Sequence, residues 1–461
     1  MAYISLDISI IEVIMQRLIE KHLSEWFIDK DRKILLLRGA RQVGKTFSVR
    51  EFGRRFKKFV EINFEARPDI ARFFVEHRTP GPLLEKISII TGTTITDGDT
   101  LLFFDEIQAC PDALRSLRFF HEERPGLHLI AAGSLLEFAL EEIPSFGVGR
   151  IESLFMYPLS FEEFLRAEGR GALADAVRSA SPARPLDRTF HDLLLDRLRI
   201  FLIVGGMPQA VSRYLSAGDL ATVHRLHDAL IASYLDDFAK YRKKIPTTRL
   251  REVFRSIVEQ AGRKFKYAAI GPETTAAYRQ ALELLIQAGI AYPIYHTAAR
   301  GLPLGGQIDP KRFKIAFFDC GLFQRLAGLD AAPFIVLPYD ELINKGAVAE
   351  LHVAQELVKN QSPHTHPALY YWHREARSSN AEVDFVVPSA RGFVPVEVKA
   401  GLRGAMRSMR LFLSERGMKT GVRVTSEPFG TVDDILIVPL YAAGRVSAVA
   451  GIAPPTPPAK E

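Results

Sequence analysis

The chain has 461 residues, with 60 Lys and Arg against 54 Asp and Glu, for a formal net charge of +6. This length predicts about two or three domains, and the 47% hydrophobic fraction is typical of a globular protein rather than a disordered or fibrous one. Its only cysteines, Cys110 and Cys320, exclude a disulfide framework and a four-cysteine zinc site. We find neither an apolar run of about 20 residues nor a secretory signal, so we expect a cytoplasmic protein without a membrane partner.

The amino-terminal third predicts a helix followed by an α/β unit. Apolar residues recur at helical spacing from Ile11 to Leu18. Short apolar runs then begin at Ile34, Phe59, Leu101 and Leu127, with longer helix-like segments between them. Because strands that alternate with helices form parallel sheets, we assign residues 1–165 to an α/β domain with a mainly parallel sheet.

The middle of the chain changes in composition. Residues 165–190 are rich in Gly, Ser and Pro, which predicts an irregular, exposed linker. Residues 191–335 then predict mostly helices, followed by two short extended runs, Ala291–His296 and Phe313–Phe318. Helices followed by a strand pair favour a winged-helix-like unit.

The last third predicts a second α/β domain, which we assign to residues 336–450. A helix is predicted over Lys345–Lys359, and strands are predicted over Val383–Val387 and Val394–Val398. The proline-rich tail, residues 451–461, cannot continue a helix or a central strand and is predicted to be disordered.

One motif in the first domain predicts a phosphate-binding loop. A four-residue apolar run precedes it and a helix can follow it, which is the strand–loop–helix setting that G-x-x-x-x-G-K-[ST] requires. Its glycines let main-chain N–H groups converge on phosphate oxygens, its lysine can neutralise β- and γ-phosphate charge, and its hydroxyl is placed for magnesium. The nucleotide-binding residues are Gly39, Ala40, Arg41, Gln42, Val43, Gly44, Lys45 and Thr46.

An acidic pair follows a later apolar strand. Leu101–Phe104 ends at Asp105 and Glu106. We expect Asp105 to hold magnesium, directly or through water, and Glu106 to polarise an attacking water as general base. The alternative is a strand that merely ends at polar residues.

Two further residues are candidates for catalysis. Ser134 follows the strand that begins at Leu127, and the end of this strand should lie between the other two, so Ser134 could contact the γ-phosphate or the water. An ordinary helix N-cap explains this serine equally well. Arg150 is a candidate for stabilising transition-state charge, in cis or across a subunit interface, against the alternative of a solvent-facing arginine.

These residues carry a resemblance. G-A-R-Q-V-G-K-T, F-F-D-E-I-Q and Gly149-Arg150 followed by Y-P-L-S-F-E-E-F resemble a bacterial and archaeal AAA-type P-loop ATPase family. Gly205–Pro208 and Asp319–Leu322 resemble middle segments of the same family. The resemblance implies ATP rather than GTP, Mg²⁺ as cofactor, association with further copies of the chain, and a carboxy-terminal, restriction-endonuclease-like domain of unknown function.

The last domain contains a possible nuclease centre. Asp384 precedes Glu397-x-Lys399 by thirteen residues, which has the form of a PD-(D/E)xK core, and Glu350 occupies the place of an additional acidic residue on the preceding helix. Side chains repeat every two residues along a strand, so Glu397 and Lys399 share a face. Glu350, Asp384 and Glu397 could hold a metal that activates water, with Lys399 assisting. An idle fold that only binds or docks, and a coincidence of solvated carboxylates, are the alternatives.

A basic segment suggests a nucleic-acid partner. Residues 240–266 contain ten Lys and Arg against Glu252 and Glu259, and cations of this kind can neutralise the phosphates of DNA or RNA. A solvated helical face is the alternative. Three functional classes remain: an ATP-driven enzyme that cuts DNA, a nucleotide-controlled switch that only binds nucleic acid, and a signalling or assembly ATPase whose last domain docks a protein.

Overall fold

The computed structural model describes residues 15–134, 149–241, 245–328, 346–374, 381–390, 392–399 and 406–451. Part of the predicted amino-terminal helix, Lys345 and residues 452–461 of the predicted tail lie outside these ranges. None of the described helices is both long and apolar enough to cross a membrane.

A parallel sheet organises the amino-terminal third. Its five strands run in the order β2-β3-β4-β1-β5, and every pairing is parallel. Buried residues on both sides of β1, β3 and β4 explain their continuous apolar sequences, since helices cover both faces of the sheet. The strands are Ile34–Arg38 (β1), Lys58–Asn63 (β2), Thr100–Asp105 (β3), His128–Ala132 (β4) and Ile151–Phe155 (β5).

The helices of this sheet confirm the predicted alternation with the strands. Because the connections are helical and all strands are parallel, the carboxyl ends of the strands meet at one edge of the sheet. The helices are Ile19–Ile28 (α1), Lys45–Gly53 (α2), Pro68–Glu76 (α3), Pro80–Thr91 (α4) and Pro111–Glu123 (α5).

The predicted linker at 165–190 is wrong for its first half. Phe161–Ala167 (α6) and Gly171–Ser179 (α7) are helices, and Ala174 and Val177 of α7 are buried. Glycines and serines mark only the ends of α7, while its apolar residues lie three apart and face the core. Composition alone therefore misplaced this segment.

The middle region is helical, as predicted, and ends in a strand pair. Strands Ala291–Thr297 (β6) and Ile308–Phe317 (β7) form an antiparallel hairpin. The preceding helices are Arg188–Val204 (α8), Pro208–Ala217 (α9), Leu220–Asp237 (α10), Thr247–Glu259 (α11) and Thr275–Gln287 (α12), and Cys320–Leu326 (α13) follows the hairpin.

The carboxy-terminal region begins with the predicted helix, Gly346–Lys359 (α14), and shares a sheet with the middle region. Strand β6 pairs in parallel with Leu369–His373 (β8), which in turn pairs with Glu382–Val383 (β9), giving the order β7-β6-β8-β9. The predicted strand Val383–Val387 is therefore interrupted at Asp384, which lies between β9 and the next strand.

A second mixed sheet completes the predicted α/β architecture of this region. Its order is β10-β11-β12-β14-β13, with parallel pairs at its centre and antiparallel pairs at both edges. The elements are Phe385–Ser389 (β10), Gly392–Lys399 (β11), Arg407–Arg416 (α15), Gly421–Thr425 (β12), Gly430–Val432 (β13), Ile435–Pro439 (β14) and Val446–Gly451 (α16).

Candidate active site

The predicted phosphate loop connects β1 to α2 at the carboxyl edge of the parallel sheet. Gly39 has φ +134°, and a Cβ atom there would lie 2.1 Å from the Met156 carbonyl oxygen, so only glycine fits. Gly44 has φ +96° and immediately precedes α2, which begins at Lys45. Gln42 also has a positive φ of 61°. The main chain thus turns tightly around the space in which its N–H groups could donate hydrogen bonds to phosphate oxygens.

Lys45 lies inside this loop. Its ammonium donates to the carbonyl oxygens of Gly39 at 2.9 Å and Ala40 at 2.8 Å. Burial lowers the pKa of Lys45 to about 8, although the charges of Glu106 and Asp105 oppose that shift. A bound polyphosphate would offer the ammonium a stronger, anionic acceptor than these carbonyls.

The predicted magnesium ligands are adjacent. Thr46 Oγ1 donates to Asp105 Oδ2 at 3.1 Å, and Asn63 Nδ2 donates to the same oxygen at 3.2 Å. Burial and the nearby Glu106 raise the pKa of Asp105, while the Thr46 hydrogen bond opposes this. Hydroxyl and carboxylate oxygens suit Mg²⁺, which usually takes one or two protein ligands and completes its shell with phosphate oxygens and water. This residue pair therefore fits the predicted ion.

Glu106 follows β3 in a left-handed conformation, with φ 49° and ψ 43°. This region is sparsely populated by residues other than glycine, and such strain is found at functional sites. Gln108 Nε2 donates to Glu106 Oε2 at 2.5 Å. The charge of the Glu106 carboxylate acts on Lys45, so Glu106 lies near the phosphate loop.

The two remaining catalytic candidates differ in position. Ser134 is buried just beyond β4, and β4 lies between β1 and β3. Its contact with the γ-phosphate or the water stays a prediction. Arg150 lies at the amino-terminal edge, where its carbonyl oxygen accepts a hydrogen bond from Ile34 N and its side chain contacts Glu122. Strand β1 separates this edge from the phosphate loop by about 17 Å, which excludes Arg150 from the site of its own chain. A role across a subunit interface stays a prediction.

Two further residues, which the sequence did not predict, contact the phosphate loop. Arg17 Nη1 donates to the Val43 carbonyl oxygen at 2.8 Å, and a Cβ atom added at Gly44 would lie 3.4 Å from Pro208 Cγ. Pro208 belongs to the Gly205–Pro208 motif and begins α9, so this motif lies against the phosphate loop. An arginine just before an amphipathic helix carries no recognisable sequence signal for such a contact.

The carboxy-terminal residues that we singled out lie near one another. Glu397 Oε1 accepts from Lys399 Nζ at 2.8 Å, and Asp384 Oδ2 accepts from Val398 N at 2.8 Å. Burial raises the pKa of Asp384, and the charge of Glu397 adds to this rise. The charges of Lys314 and Lys399 and the hydrogen bond from Val398 N oppose it. Burial also raises the pKa of Glu350 to about 7, and the charge of Asp384 contributes to that shift.

A lysine from the middle region lies among these carboxylates. Lys314 of β7 is 1% exposed, and its ammonium lies 2.8 Å from Glu350 Oε1 and 2.7 Å from Glu382 Oε1. Burial lowers its pKa, but the charges of Glu350, Glu382 and Asp384 raise it further, so the net shift is upward. The sequence signal was a lysine between Phe313 and Ile315 in an apolar run.

The described residues contain no group of three or more His, Cys, Asp and Glu side chains that could hold a metal ion. The metal role that we predicted for Glu350, Asp384 and Glu397, with Lys399 assisting, stays a prediction. Lys314 already supplies a positive charge at the place where a cation would be needed.

The basic segment is divided between surface and core. Its aromatic Phe265 is buried and packs against Phe313, so it is not available to stack on a base. Two of its cations form ion pairs, Arg249 with Glu273 and Lys264 with Glu382. Residues 242–244 lie outside the described ranges, and the exposure of Lys240 is not described either. Among the remaining cations of the segment, Arg251, Arg255, Arg263 and Lys266 are exposed.

Family models match three consecutive parts of the chain. Residues 31–165 match an AAA domain. Residues 195–332 match a domain of unknown function (DUF8612), and residues 345–442 match another domain of unknown function (DUF4143). No curated protein matches the chain.

Solved structures show weaker likenesses. The Walker-type ATPase paby2304 of Pyrococcus abyssi is 16% identical, with 68% of this chain and 96% of that one covered and a TM-score of 0.45. The ORC2 protein of Aeropyrum pernix, in its ADPNP–ADP complexes, is 13% identical, with 74% and 95% covered and a TM-score of 0.37. A RuvB variant of Thermotoga maritima is 14% identical, with 59% and 88% covered and a TM-score of 0.30. We draw no conclusion from TM-scores below 0.5.

The loop geometry and the match of the AAA model coincide on the same residues. The strand–loop–helix at 34–53, the Thr46–Asp105 contact and the strand order all lie within the matched range. The amino-terminal third of this chain, residues 31–165, is therefore an AAA-type P-loop ATPase domain.

Proposed function

We propose that the chain binds ATP with Mg²⁺ at the 39–46 loop and hydrolyses it. The observation that carries this proposal is the contact between Thr46 Oγ1 and Asp105 Oδ2, at 3.1 Å, beside the buried ammonium of Lys45. Lys45 and the loop N–H groups bind the phosphates, Thr46 and Asp105 hold the magnesium, and Glu106 takes a proton from the attacking water. Ser134 contacts the γ-phosphate or this water.

Two substitutions separate binding from hydrolysis. Lys45→Ala removes the cation that faces the phosphates, so ATP binding should be lost. Glu106→Gln keeps the shape but not the base, so ATP should bind within about threefold of wild type while phosphate release falls roughly 100-fold or more. Phosphate release and calorimetric binding measure the two effects, and chelation of Mg²⁺ should stop turnover in wild type.

Glu123→Gln, on the exposed end of α5, is the matched control and should leave both quantities unchanged. Unchanged turnover in Glu106→Gln would remove Glu106 from the mechanism. Absence of any purine triphosphate binding to wild type would overturn the proposal itself.

For the carboxy-terminal half we infer a nucleotide-controlled module that binds DNA or RNA without cutting it. Lys314 argues against cleavage, because its buried ammonium already pairs with Glu350, one of the carboxylates that a nuclease centre would need, and with Glu382. Arg251 and Arg255 are exposed on α11 and supply charge that can bind phosphates.

Binding and cleavage by the full chain test this inference together. Single-stranded and duplex DNA and RNA should bind at 50 mM salt and dissociate by 200 mM. The double variant Arg251→Ala/Arg255→Ala should weaken binding at least tenfold. Its matched control, Arg115→Ala/Arg118→Ala on α5, removes the same charge and should not.

No cleavage should occur with Mg²⁺ or Mn²⁺. If wild type cleaves nucleic acid and both Glu397→Ala and Lys399→Ala abolish this cleavage, the carboxy-terminal domain is a nuclease instead. Failure to bind any nucleic acid at 50 mM salt would favour the signalling or assembly class, whose last domain docks a protein. Association of the chain with further copies is part of the proposal, and the mass with and without ATP measures it.

A further inference from the structure

The side chain of Arg41, inside the phosphate loop, is held by the middle region. Arg41 Nη1 donates to Asp237 Oδ1 at 2.6 Å and to Asp237 Oδ2 at 2.7 Å. The Tyr234 hydroxyl donates to the Arg41 carbonyl oxygen. Tyr234 and Asp237 lie three residues apart on the last turn of α10, so this helix end contacts both the main chain and the side chain of one loop residue.

The surroundings of Arg41 place its charge beside the proposed chemistry. Burial lowers the pKa of Arg41, but Asp237, followed by Glu106 and Glu65, raises it further, and the net shift is upward. The charge of Arg41 also acts on Lys45. Arg41 belongs to the loop itself, and its guanidinium is near enough to Glu106 and Lys45 for their charges to interact. It is therefore a candidate to reach the terminal phosphate of a bound triphosphate.

A guanidinium bound by a carboxylate can exchange that partner for a phosphate. Both anions present paired oxygens to a planar, permanently charged donor, and phosphate carries the larger charge. Arg41 is 31% exposed and Asp237 is 15% exposed, so solvent reaches the pair and neither charge is sealed away. The second cation of the loop, Lys45, is likewise held by protein oxygens that a phosphate would replace.

We propose that Arg41 is an in-cis arginine that leaves Asp237 and binds the terminal phosphate of ATP. The exchange breaks the contact between Arg41 and Asp237 of α10 when a triphosphate, but not a diphosphate, occupies the loop. This proposal rests on ATP binding at the same loop and adds to it a residue that distinguishes ATP from ADP. It also supplies the cis arginine that Arg150, at the opposite edge of the sheet, cannot be.

A purely structural brace makes different predictions. If the Arg41–Asp237 pair only fastened α10 to the loop, removing either partner would change ATP and ADP binding alike. Exchange requires instead that Arg41 stabilises bound ATP and that Asp237 competes with ATP for the guanidinium. Substitution of Arg41 should therefore lower the affinity for ATP, substitution of Asp237 should raise it, and both should leave the affinity for ADP nearly unchanged.

Nucleotide binding by the full chain with Mg²⁺ separates these cases, with ADP and a non-hydrolysable ATP analogue as probes. Arg41→Ala should weaken analogue binding at least tenfold and ADP binding less than threefold. Asp237→Asn should tighten analogue binding severalfold, and in the Arg41→Ala background it should have no effect. Arg41→Lys keeps the charge without the paired donors and should recover only part of the loss.

Arg115→Ala, which removes an exposed cation that pairs with Asp112 on α5, is the matched control and should change neither affinity. Equal losses for the analogue and ADP in Arg41→Ala, or weaker analogue binding in Asp237→Asn, would overturn the exchange. Circular dichroism of each variant checks folding. Failure of wild type to bind either nucleotide would count against the ATP site and not against the role of Arg41 within it.

Discussion

In the proposed ATP site, Lys45 supplies the positive charge for the phosphates, and its side chain is buried. Desolvation disfavours the ammonium form, and the carboxylates of Glu106 and Asp105 only partly compensate. With a pKa of about 8, the side chain is protonated at neutral pH and neutral in alkaline solution. Nucleotide affinity should therefore depend on pH just above neutrality.

We expect the affinity of wild type for the non-hydrolysable ATP analogue to be roughly tenfold lower at pH 9 than at pH 7, because only about one ammonium in ten stays protonated. Calorimetry at pH 7, 8 and 9 measures this change. Lys45→Arg, whose guanidinium stays charged, should show little pH dependence over the same range. A flat profile in wild type would mean that the ammonium keeps its proton.

The free energy of unfolding gives a second readout of the same pKa. The unfolded chain keeps the ammonium proton up to about pH 10.5, whereas the nucleotide-free folded protein loses it near pH 8. Between these values the unfolded state binds more protons, so stability rises with pH. Between about pH 8 and pH 10.5, the free energy of unfolding of wild type should therefore rise by up to about 3 kcal/mol relative to that of Lys45→Met.

At the scale of elements, helix α6 connects the phosphate loop to the carboxy-terminal region. Ser160 and Glu163 form a reciprocal cap at its amino terminus, and Glu163 Oε1 also accepts from Arg17 Nε at 2.9 Å. Arg17 holds the loop carbonyl of Val43. On the other side, Glu356 of α14 accepts a hydrogen bond from Phe161 N at 3.1 Å.

Arg17→Ala should therefore be strongly destabilising. It breaks a buried ion pair and leaves the Glu163 carboxylate without its cation, which typically costs about 3–5 kcal/mol. The thermal midpoint of the first unfolding transition should fall by about 10 °C. Lys21→Ala, which removes an exposed pair with Glu25, should shift it by less than about 2 °C, since such pairs contribute little. Equal shifts of the thermal midpoint in both variants would show that the buried Arg17–Glu163 pair contributes no more to stability than an exposed pair.

The local pattern of apolar residues predicted most of these helices and strands, but not every place where one ends and the next begins. The hairpin β6–β7 followed from two apolar runs, and α14 followed from a helical period. Helix α7 was missed, because Gly171 and Ser179 at its ends outweighed the two buried residues between them. Asp384 was assigned to a strand interior but lies between β9 and β10, since alternation does not reveal where pairing partners change.

At the scale of the whole molecule, the three matched parts are not independent units joined by linkers. Strand β6 of the middle region pairs with β8 of the carboxy-terminal region, and Lys314 of β7 forms ion pairs with Glu350 and Glu382 across the same junction. The Phe155 N–H of the ATPase domain donates to the Pro363 carbonyl oxygen at 2.7 Å. Direct hydrogen bonds and ion pairs therefore join all three regions.

The sequence by itself was enough to predict the phosphate loop, the Thr46–Asp105 pair proposed to hold magnesium, and the class of the sheet, because each depends on residues close together in the chain or on a short repeat. Asp105 and Glu106 could be placed beside the loop because parallel strands end at one edge. Only the tertiary structure decided which distant charges meet. The partnerships of Arg41 with Asp237 and of Lys314 with Glu350 depend on packing between regions far apart in the chain, and no local periodicity encodes such distances.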